Sequence, residues 1–189
     1  MATALWLLAI QGAVGAFDTL YFHEWRARLP ARHQTVAAEL KIHAVRDFLY
    51  AVIFGTLPWL AWEGLWTAAL TAILIAEIVL TMADFVTEAR VRKSFGDVYA
   101  GERVTHAVMA IIYGAMLGML VPVLWTWWNR PTDLRITPPD IPVVLRCALG
   151  VMAAGVFLSG VRDMYAAGGF PNGAWPWAAR QPTRAERSS

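Results

Sequence analysis

Long apolar runs alternate with short polar connections along the chain, and their length indicates membrane-spanning helices. A helix needs about 20 predominantly apolar residues to cross the roughly 30 Å hydrocarbon core of a bilayer. The runs cover residues 2–21, 42–62, 65–86, 104–127 and 141–161. The first run lacks the basic start and the small-residue cleavage site of a signal peptide, so we expect it to remain in the mature chain. The pattern predicts an all-α, polytopic membrane protein with five transmembrane helices.

The connections divide the chain into a predicted bundle and a separate helix. The first four helices form one unit, residues 1–128. Residues 129–140 are rich in proline, which cannot continue a helix, and they predict an outer loop. The fifth helix, residues 141–163, is therefore expected to pack outside the bundle. Residues 164–189 are expected to form a cytoplasmic tail whose last ten residues are disordered.

The distribution of basic residues predicts the orientation. Lys and Arg favour the cytoplasmic side of a membrane. Most of the 16 Lys and Arg residues lie in the connections after the first and third predicted helices and in the tail. We therefore expect an N-terminus outside and a C-terminus inside, in a bacterial-type inner (plasma) membrane.

Composition agrees with this class and excludes several kinds of site. The hydrophobic fraction is 58% and the mean hydropathy is +0.46, both above those of an ordinary soluble domain. A single cysteine, Cys147, allows neither an intramolecular disulfide nor a cysteine-based metal site. The net charge of +2 is explained by the basic loops, and no feature indicates nucleic-acid binding.

Two segments, residues 39–57 and 102–120, are similar at a constant separation. Both contain Glu-x-x-x-His-Ala-Val, followed at matching positions by Tyr, Gly and Leu. Matches of Glu and His are informative because polar residues are rare in membrane helices. We therefore predict that the first four helices are two repeated hairpins, related by a pseudo-two-fold axis along the membrane normal.

The predicted topology brings ionisable residues to one level near the cytoplasmic face. The first and third helices end there, and the second and fourth begin there. An ionisable group inside a membrane costs a few kcal/mol unless it is paired, solvated or bound to a metal. This convergence predicts metal ligands, namely Asp18, Glu39, His43, Asp84, Glu102 and His106.

A second set of polar residues is expected to orient the ligands or to relay protons. These residues are His23, Glu24, Asp47, Tyr50, Glu77, Glu88 and Tyr113. Simpler roles stay open for some of the predicted ligands. Glu39 and Glu102 also suit the first turn of a helix, where the helix dipole favours a negative charge. Asp18 and Asp84 could instead form structural ion pairs with Arg46 or Arg103.

In ligand inventory and architecture, residues 11–120 resemble the ferritin-like di-metal carboxylate four-helix bundles. Those proteins place a Glu on each of two helices and Glu-x-x-His on each of the other two. The present spacing is Glu-x-x-x-His, and the partner helices offer Asp as readily as Glu. The resemblance implies two metal ions, with iron as the first choice and manganese or zinc as alternatives.

These features predict a metal-dependent oxidoreductase, such as an oxidase, a hydroxylase or a desaturase. Its substrate would be a lipid or a quinone-like molecule reached from the bilayer. The sequence has no flavin or nicotinamide motif, so a separate redox partner would supply electrons. Alternatives are a membrane electron carrier with haem b between His43 and His106, and a proton- or ion-coupled transporter that uses the same acids. A structural or accessory membrane subunit is a further possibility.

Overall fold

The computed structural model describes residues 1–177, which form five α-helices and one two-stranded sheet. The helices are α1 Ala2–Phe17, α2 His33–Thr56, α3 Leu65–Val91, α4 Ala100–Trp128 and α5 Val143–Ala167. A π-helical segment, Asp18–Ala27, extends α1, and 3₁₀ turns occupy Leu29–Arg32 and Arg92–Phe95. The strands are β1 Leu60–Glu63 and β2 Asp133–Ile136.

Within the described residues, four helical stretches are long and apolar enough to cross a membrane. They are Ala2–Ala27, Leu65–Phe95, Ala100–Trp128 and Val143–Ala167. This confirms the all-α fold and indicates contact with a lipid bilayer. The remaining predicted span corresponds to α2, which contains the charged residues Glu39, Lys41, Arg46 and Asp47. The crossing by α2, and with it the five-span topology, stays a prediction.

The helix ends differ from those expected from hydropathy. The first helical stretch continues to Ala27, beyond the predicted end at residue 21. The second helix begins at His33 and ends at Thr56, whereas residues 42–62 were predicted. Hydropathy detects apolar residues, but both helices also include polar residues, such as the partly buried His23 and the buried Glu39.

The five helices surround a common interior. Helix α1 packs against α4, α4 against α3, α3 against α2, α2 against α5, and α5 against α1. The two repeated hairpins and their pseudo-two-fold axis stay a prediction. Helix α5 lies along α2 and so forms part of the wall around this interior.

Gly160 allows α5 to approach α2 closely. A Cβ atom at this position would lie 3.0 Å from the carbonyl oxygen of Ala44 and 3.0 Å from Cβ of Asp47. Asp163 follows three residues later, on the same face of α5. The absence of a side chain at Gly160 therefore brings the carboxylate of Asp163 close to α2.

A short antiparallel sheet connects the α2–α3 hairpin to the segment before α5. Leu60 of β1 pairs with Ile136 of β2, and Glu63 pairs with Asp133. The sequence predicted the end of the second helix and a turn at β1, and a proline-rich loop at β2, because strands of four residues leave little pattern. At the other end of the chain, the predicted disorder of the last ten residues lies outside the described residues.

Candidate metal centre

Buried acids and histidines from the first four helical stretches meet at one end of the bundle. We call this set the polar cluster; its members are Asp18, His23, Glu39, His43, Asp84, Glu88, Glu102 and His106. All of them except His23 are less than a tenth exposed, and the His23 side chain is 13% exposed. The cluster contains every predicted metal ligand, together with two residues that were predicted to orient ligands.

The π-helical segment explains how His23 joins Asp18 in the cluster. On an α-helix, residues five apart point about 140° away from each other. A π-helix forms hydrogen bonds between residues five apart, so their side chains lie nearly above one another. The segment keeps this pattern to its end, where the Arg28 N–H donates to the carbonyl of His23. The change of helix type therefore places both side chains on one face.

Asp18, His23 and His106 form the tightest group. Oδ2 of Asp18 lies 3.2 Å from Nε2 of His106 and 3.3 Å from Nε2 of His23. One ligand atom from each of the three residues lies within 4.8 Å of the others. Two ligands bound about 2.1 Å from one ion, at tetrahedral or octahedral angles, lie about 3.0–3.4 Å apart. The two measured distances match that spacing.

Glu88 and Glu102 extend this side of the cluster. Nε2 of His23 lies 3.1 Å from Oε1 of Glu102, and Nδ1 of His106 lies 3.6 Å from Oε1 of Glu88. Glu88, Glu102 and His106 also form a group with metal-ligand spacing. A metal-bound histidine commonly donates its second N–H to a carboxylate, which fixes the ring. Glu88 is placed to do this for His106.

His43 has a similar pair of neighbours on the other side. Its Nε2 lies 3.2 Å from Oδ1 of Asp84 and 3.9 Å from Oε1 of Glu39. Its Nδ1 faces Asp163 of α5, with Oδ2 at 3.8 Å. The ring of His23 stacks on that of His43 with centroids 4.7 Å apart, so both sides belong to one cluster.

Arg92 connects two predicted ligands at the base of the cluster. Its Nε donates to Oε1 of Glu39 at 2.8 Å, and its Nη1 donates to Oε1 of Glu102 at 2.5 Å. The arginine is completely buried. Sequence reasoning missed it by counting Arg92 only as a basic loop residue. Its place four residues after Glu88 and eight after Asp84, on the same helical stripe, was the available signal.

Arg46 neutralises the acids above His43. Its Nη1 donates to Oδ2 of Asp84 at 2.7 Å, and its Nη2 donates to Oε1 of Glu77 at 3.1 Å. The hydroxyl of Thr81 also donates to Glu77, at 2.8 Å. Of the two arginines considered for Asp84, the structure pairs Arg46 with it. Arg103 instead pairs with Asp97 at the surface.

The other predicted residues lie around the cluster or away from it. Glu24 pairs with Arg162 and accepts a hydrogen bond from Nε1 of Trp177 at 3.3 Å, so it holds the segment after α5. Tyr50 and Tyr113 lie next to each other with ring centroids 6.2 Å apart. Both tyrosines, together with Asp47, line the cavity described below. Asp163 was not predicted, because the fifth helix was expected outside the bundle.

Buried atoms without a hydrogen-bond partner are concentrated in the polar cluster. Leaving such an atom unpaired costs about 1–3 kcal/mol, more for a charged group. Within the described residues, the unpartnered atoms in the cluster are Asp18 Oδ1, His23 Nε2, Glu39 Oε2, His43 Nε2, Asp84 Oδ1, Glu88 Oε2, Glu102 Oε2 and His106 Nδ1. Every one is a carboxylate oxygen or an imidazole nitrogen, the atom types that bind metal ions.

Five members of the cluster form the polar end of a large cavity, namely Asp18, His23, His43, Asp84 and His106. The cavity has a volume of about 660 Å³, within the usual range for small-molecule sites. Its polar end includes Asp18, His43 and His106, and the rest is lined mainly by apolar side chains such as Met109 and Leu117. Leu20, Met82 and Val151 line its edge and are more than half exposed, so the cavity borders the apolar outer surface of the helices.

Comparison with known proteins adds no assignment. No protein family, no curated protein and no solved structure matches the chain. The chemistry of the site therefore has to be argued from its residues. Their buried oxygen and nitrogen atoms can hold a metal ion at the polar end of an apolar cavity.

Proposed function

We propose that this protein is an integral membrane, metal-dependent oxidoreductase that acts on a lipid-soluble substrate. One observation carries the proposal: unpartnered ligand atoms converge at the polar end of a mainly apolar cavity. A divalent ion bound there would give several of those atoms a partner. The apolar part of the cavity would hold a lipid or a quinone-like molecule with its reacting group toward the cluster.

The donor set supports iron, with manganese or zinc as alternatives. Carboxylate oxygens and imidazole nitrogens suit all three metals. When bound, iron would supply oxygen activation. The protein's own residues would orient and insulate the site. Glu88 and Asp163 would fix the rings of His106 and His43, and Arg92 would hold Glu39 and Glu102.

The reaction class is oxidation of an apolar substrate by dioxygen. In a hydroxylation, the substrate C–H, one O₂, two electrons and two protons give the alcohol and one water. A desaturation uses the same O₂, electrons and protons, removes two hydrogens from the substrate and gives two waters. A separate electron carrier would deliver the two electrons, since the sequence has no flavin or nicotinamide motif.

We also propose the membrane placement that the basic residues predict. The polar cluster would lie near the cytoplasmic face of a bacterial-type inner membrane, with α2 crossing as the fifth span. Arg26, Arg90 and Lys93 flank the cluster end of the bundle, as the positive-inside preference requires. Labelling of single cysteines introduced near Lys93 and Trp128, in a variant that carries Cys147→Ser, tests this in intact cells. We expect an impermeant reagent to label the cysteine near Trp128 and not the one near Lys93. Labelling only near Lys93 would show the opposite orientation.

The geometry favours an ion over haem b. A haem between His43 and His106 would need only the two histidines. It would leave unpartnered carboxylate oxygens of Asp18 and Glu102 without a cation. Glu77, the acid above the cluster that a transporter would use, is paired with Arg46.

Metal analysis of the purified protein tests the proposal. We expect iron to copurify with the wild type in detergent and to be lost in the His106→Ala variant. His33→Ala is the matched control, because His33 lies outside the cluster and contacts the carbonyl of Pro30. Oxygen consumption with a quinol or a fatty acyl substrate and a chemical reductant should follow the iron content. A wild type with no more metal than His106→Ala would refute the proposal, and a Soret band would favour haem.

A further inference from the structure

We infer that the centre binds one ion through Asp18, His23 and His106, and that Arg46 takes the place of a second ion beside His43. This inference rests on the proposed metal centre and replaces the two ions predicted from the sequence by one. It also makes His23 a ligand, although the sequence suggested only a supporting role for it.

Asp18, His23 and His106 have the composition and placement of a known iron-binding set. Two histidines and one carboxylate on one side of an ion, with open positions opposite, form the facial set of non-haem iron(II) oxygenases. Asp18 Oδ2 lies within 3.3 Å of both imidazole Nε2 atoms. All three residues line the cavity. Open positions on such an ion would therefore face a bound substrate.

The His43 side and the His106 side of the cluster differ in charge. Asp84 accepts a hydrogen bond from Arg46 at 2.7 Å, so it already has a full positive charge beside it. Among the described residues, the basic side chains within ion-pair distance of Asp18 are His23 and His106. Asp18 therefore lacks the permanent positive charge that Arg46 gives Asp84, and a bound cation would supply it.

The sequence itself encodes this difference. In the alignment of the two similar segments, Arg46 corresponds to Met109, because the separation is 63 residues. Both side chains line the cavity, but only Arg46 carries a charge. Both segments keep Glu-x-x-x-His. The first then provides a guanidinium on the His43 side, and the second provides a thioether on the His106 side.

Arg92 also limits how the two glutamates can bind ions. It holds Oε1 of both Glu39 and Glu102 from a completely buried position. Arg92 therefore occupies one of the two oxygens of each glutamate that a bridging carboxylate would use. A single ion at Asp18, His23 and His106 leaves the Arg92 contacts intact.

Stoichiometry separates this inference from the proposed function. Iron(II) is added anaerobically to metal-depleted protein in detergent, and bound iron is measured per chain. We expect about one ion per chain, as a single two-histidine, one-carboxylate set requires. Two ions would overturn the inference and leave the metal-dependent function standing. No bound iron would remove both.

Paired variants test which side binds the ion. Asp18→Asn and His23→Gln remove ligands on one side; Asp84→Asn and His43→Gln are the matched changes on the other. Loss of an orienting partner typically weakens metal affinity about 10–100-fold, so loss of a true ligand should weaken iron(II) binding more than about 100-fold. We expect that loss only for Asp18→Asn and His23→Gln. Equal losses on both sides would contradict the assignment.

Two further variants test the role of Arg46. Arg46→Met copies the residue at the aligned position 109 and leaves Asp84 and Glu77 without their cation, so bound iron should rise toward two ions per chain. Arg46→Lys keeps the charge and should remain near one ion. Unchanged stoichiometry in Arg46→Met would show that Arg46 does not replace an ion. Size-exclusion elution and far-UV circular dichroism identify any variant that fails to fold, and Asp18→Glu, which keeps a carboxylate, should retain measurable binding.

Discussion

Arg92, at the end of α3, donates hydrogen bonds to Glu39 on α2 and to Glu102 on α4 while none of its surface is exposed. One side chain thus connects three helices at the level of the polar cluster. Burying a guanidinium is unfavourable unless its charge and hydrogen bonds are satisfied, and the two carboxylates satisfy them. The contact fixes the spacing between the two similar segments.

Replacing Arg92 should therefore destabilise the protein. Arg92→Met leaves two buried carboxylates without their cation, and removing one partner of a buried ion pair costs about 3–5 kcal/mol. Thermal or denaturant unfolding in detergent measures the loss. Arg103→Met is the control, because Arg103 pairs with Asp97 in an exposed position and should change stability little. Similar losses for the two variants would contradict the structural role of Arg92.

The close approach of α5 to α2 gives a second prediction. Gly160→Ala adds a Cβ atom 3.0 Å from the backbone of Ala44, and such overpacking costs about 1–3 kcal/mol. The helices should separate, moving Asp163 away from His43. Gly150→Ala is the matched change on α5, since nothing lies within 4 Å of the added atom. Unfolding midpoints should fall for Gly160→Ala and stay equal or rise for Gly150→Ala.

Metal removal should destabilise the wild type. An ion that binds only the folded state stabilises it by about 2.7 kcal/mol at a free concentration 100 times Kd. Chelation should therefore lower the unfolding temperature of the wild type and of His33→Ala. It should leave Asp18→Asn unchanged, since that variant lacks a proposed ligand. An equal fall in Asp18→Asn would place the stabilising ion elsewhere.

The lining of the cavity predicts where a larger side chain should block substrate binding. Gly114 lines the cavity and has nothing within 4 Å of an added Cβ, so Gly114→Leu should fill space that a substrate needs. Gly118→Leu, one turn further along α4, also has room for its Cβ but lies outside the cavity lining. Binding of a spin-labelled fatty acid, measured by electron paramagnetic resonance, should weaken for Gly114→Leu alone. Bound iron should be the same in both, so an iron loss would show that the change disturbs the centre instead.

Hydropathy and the repeated Glu-x-x-x-His pattern were sufficient to predict much of this arrangement. Apolar length predicted the four membrane-capable helices because lipid contact imposes a simple compositional requirement. The predicted topology also brought Asp18 and Asp84 to the level of both Glu-x-x-x-His pairs, and the structure places them together. Whether these residues bind metal stays a prediction.

Other parts depend on features that a hydrophobic pattern does not show. His23 reaches Asp18 through a π-helical segment, whereas ordinary helical spacing separates the two. Arg92 is a basic residue that follows the third apolar run, as loop residues do, yet its side chain is buried between acids. Asp163 approaches His43 only because Gly160 lets α5 pack against α2. Each depends on local backbone geometry or on a single close contact.

The β1–β2 sheet has a consequence far from its own position. Residues 137–142 join β2 to α5, so the pairing of β2 with β1 limits where that helix can start. Asp163 lies 20 residues after Val143, which is about 30 Å along a helix. Because a helix is stiff along its axis, a displacement at the start of α5 is carried to the carboxylate at its other end. The sheet therefore helps to set the position of Asp163 relative to His43, although the sheet and Asp163 lie at opposite ends of the molecule.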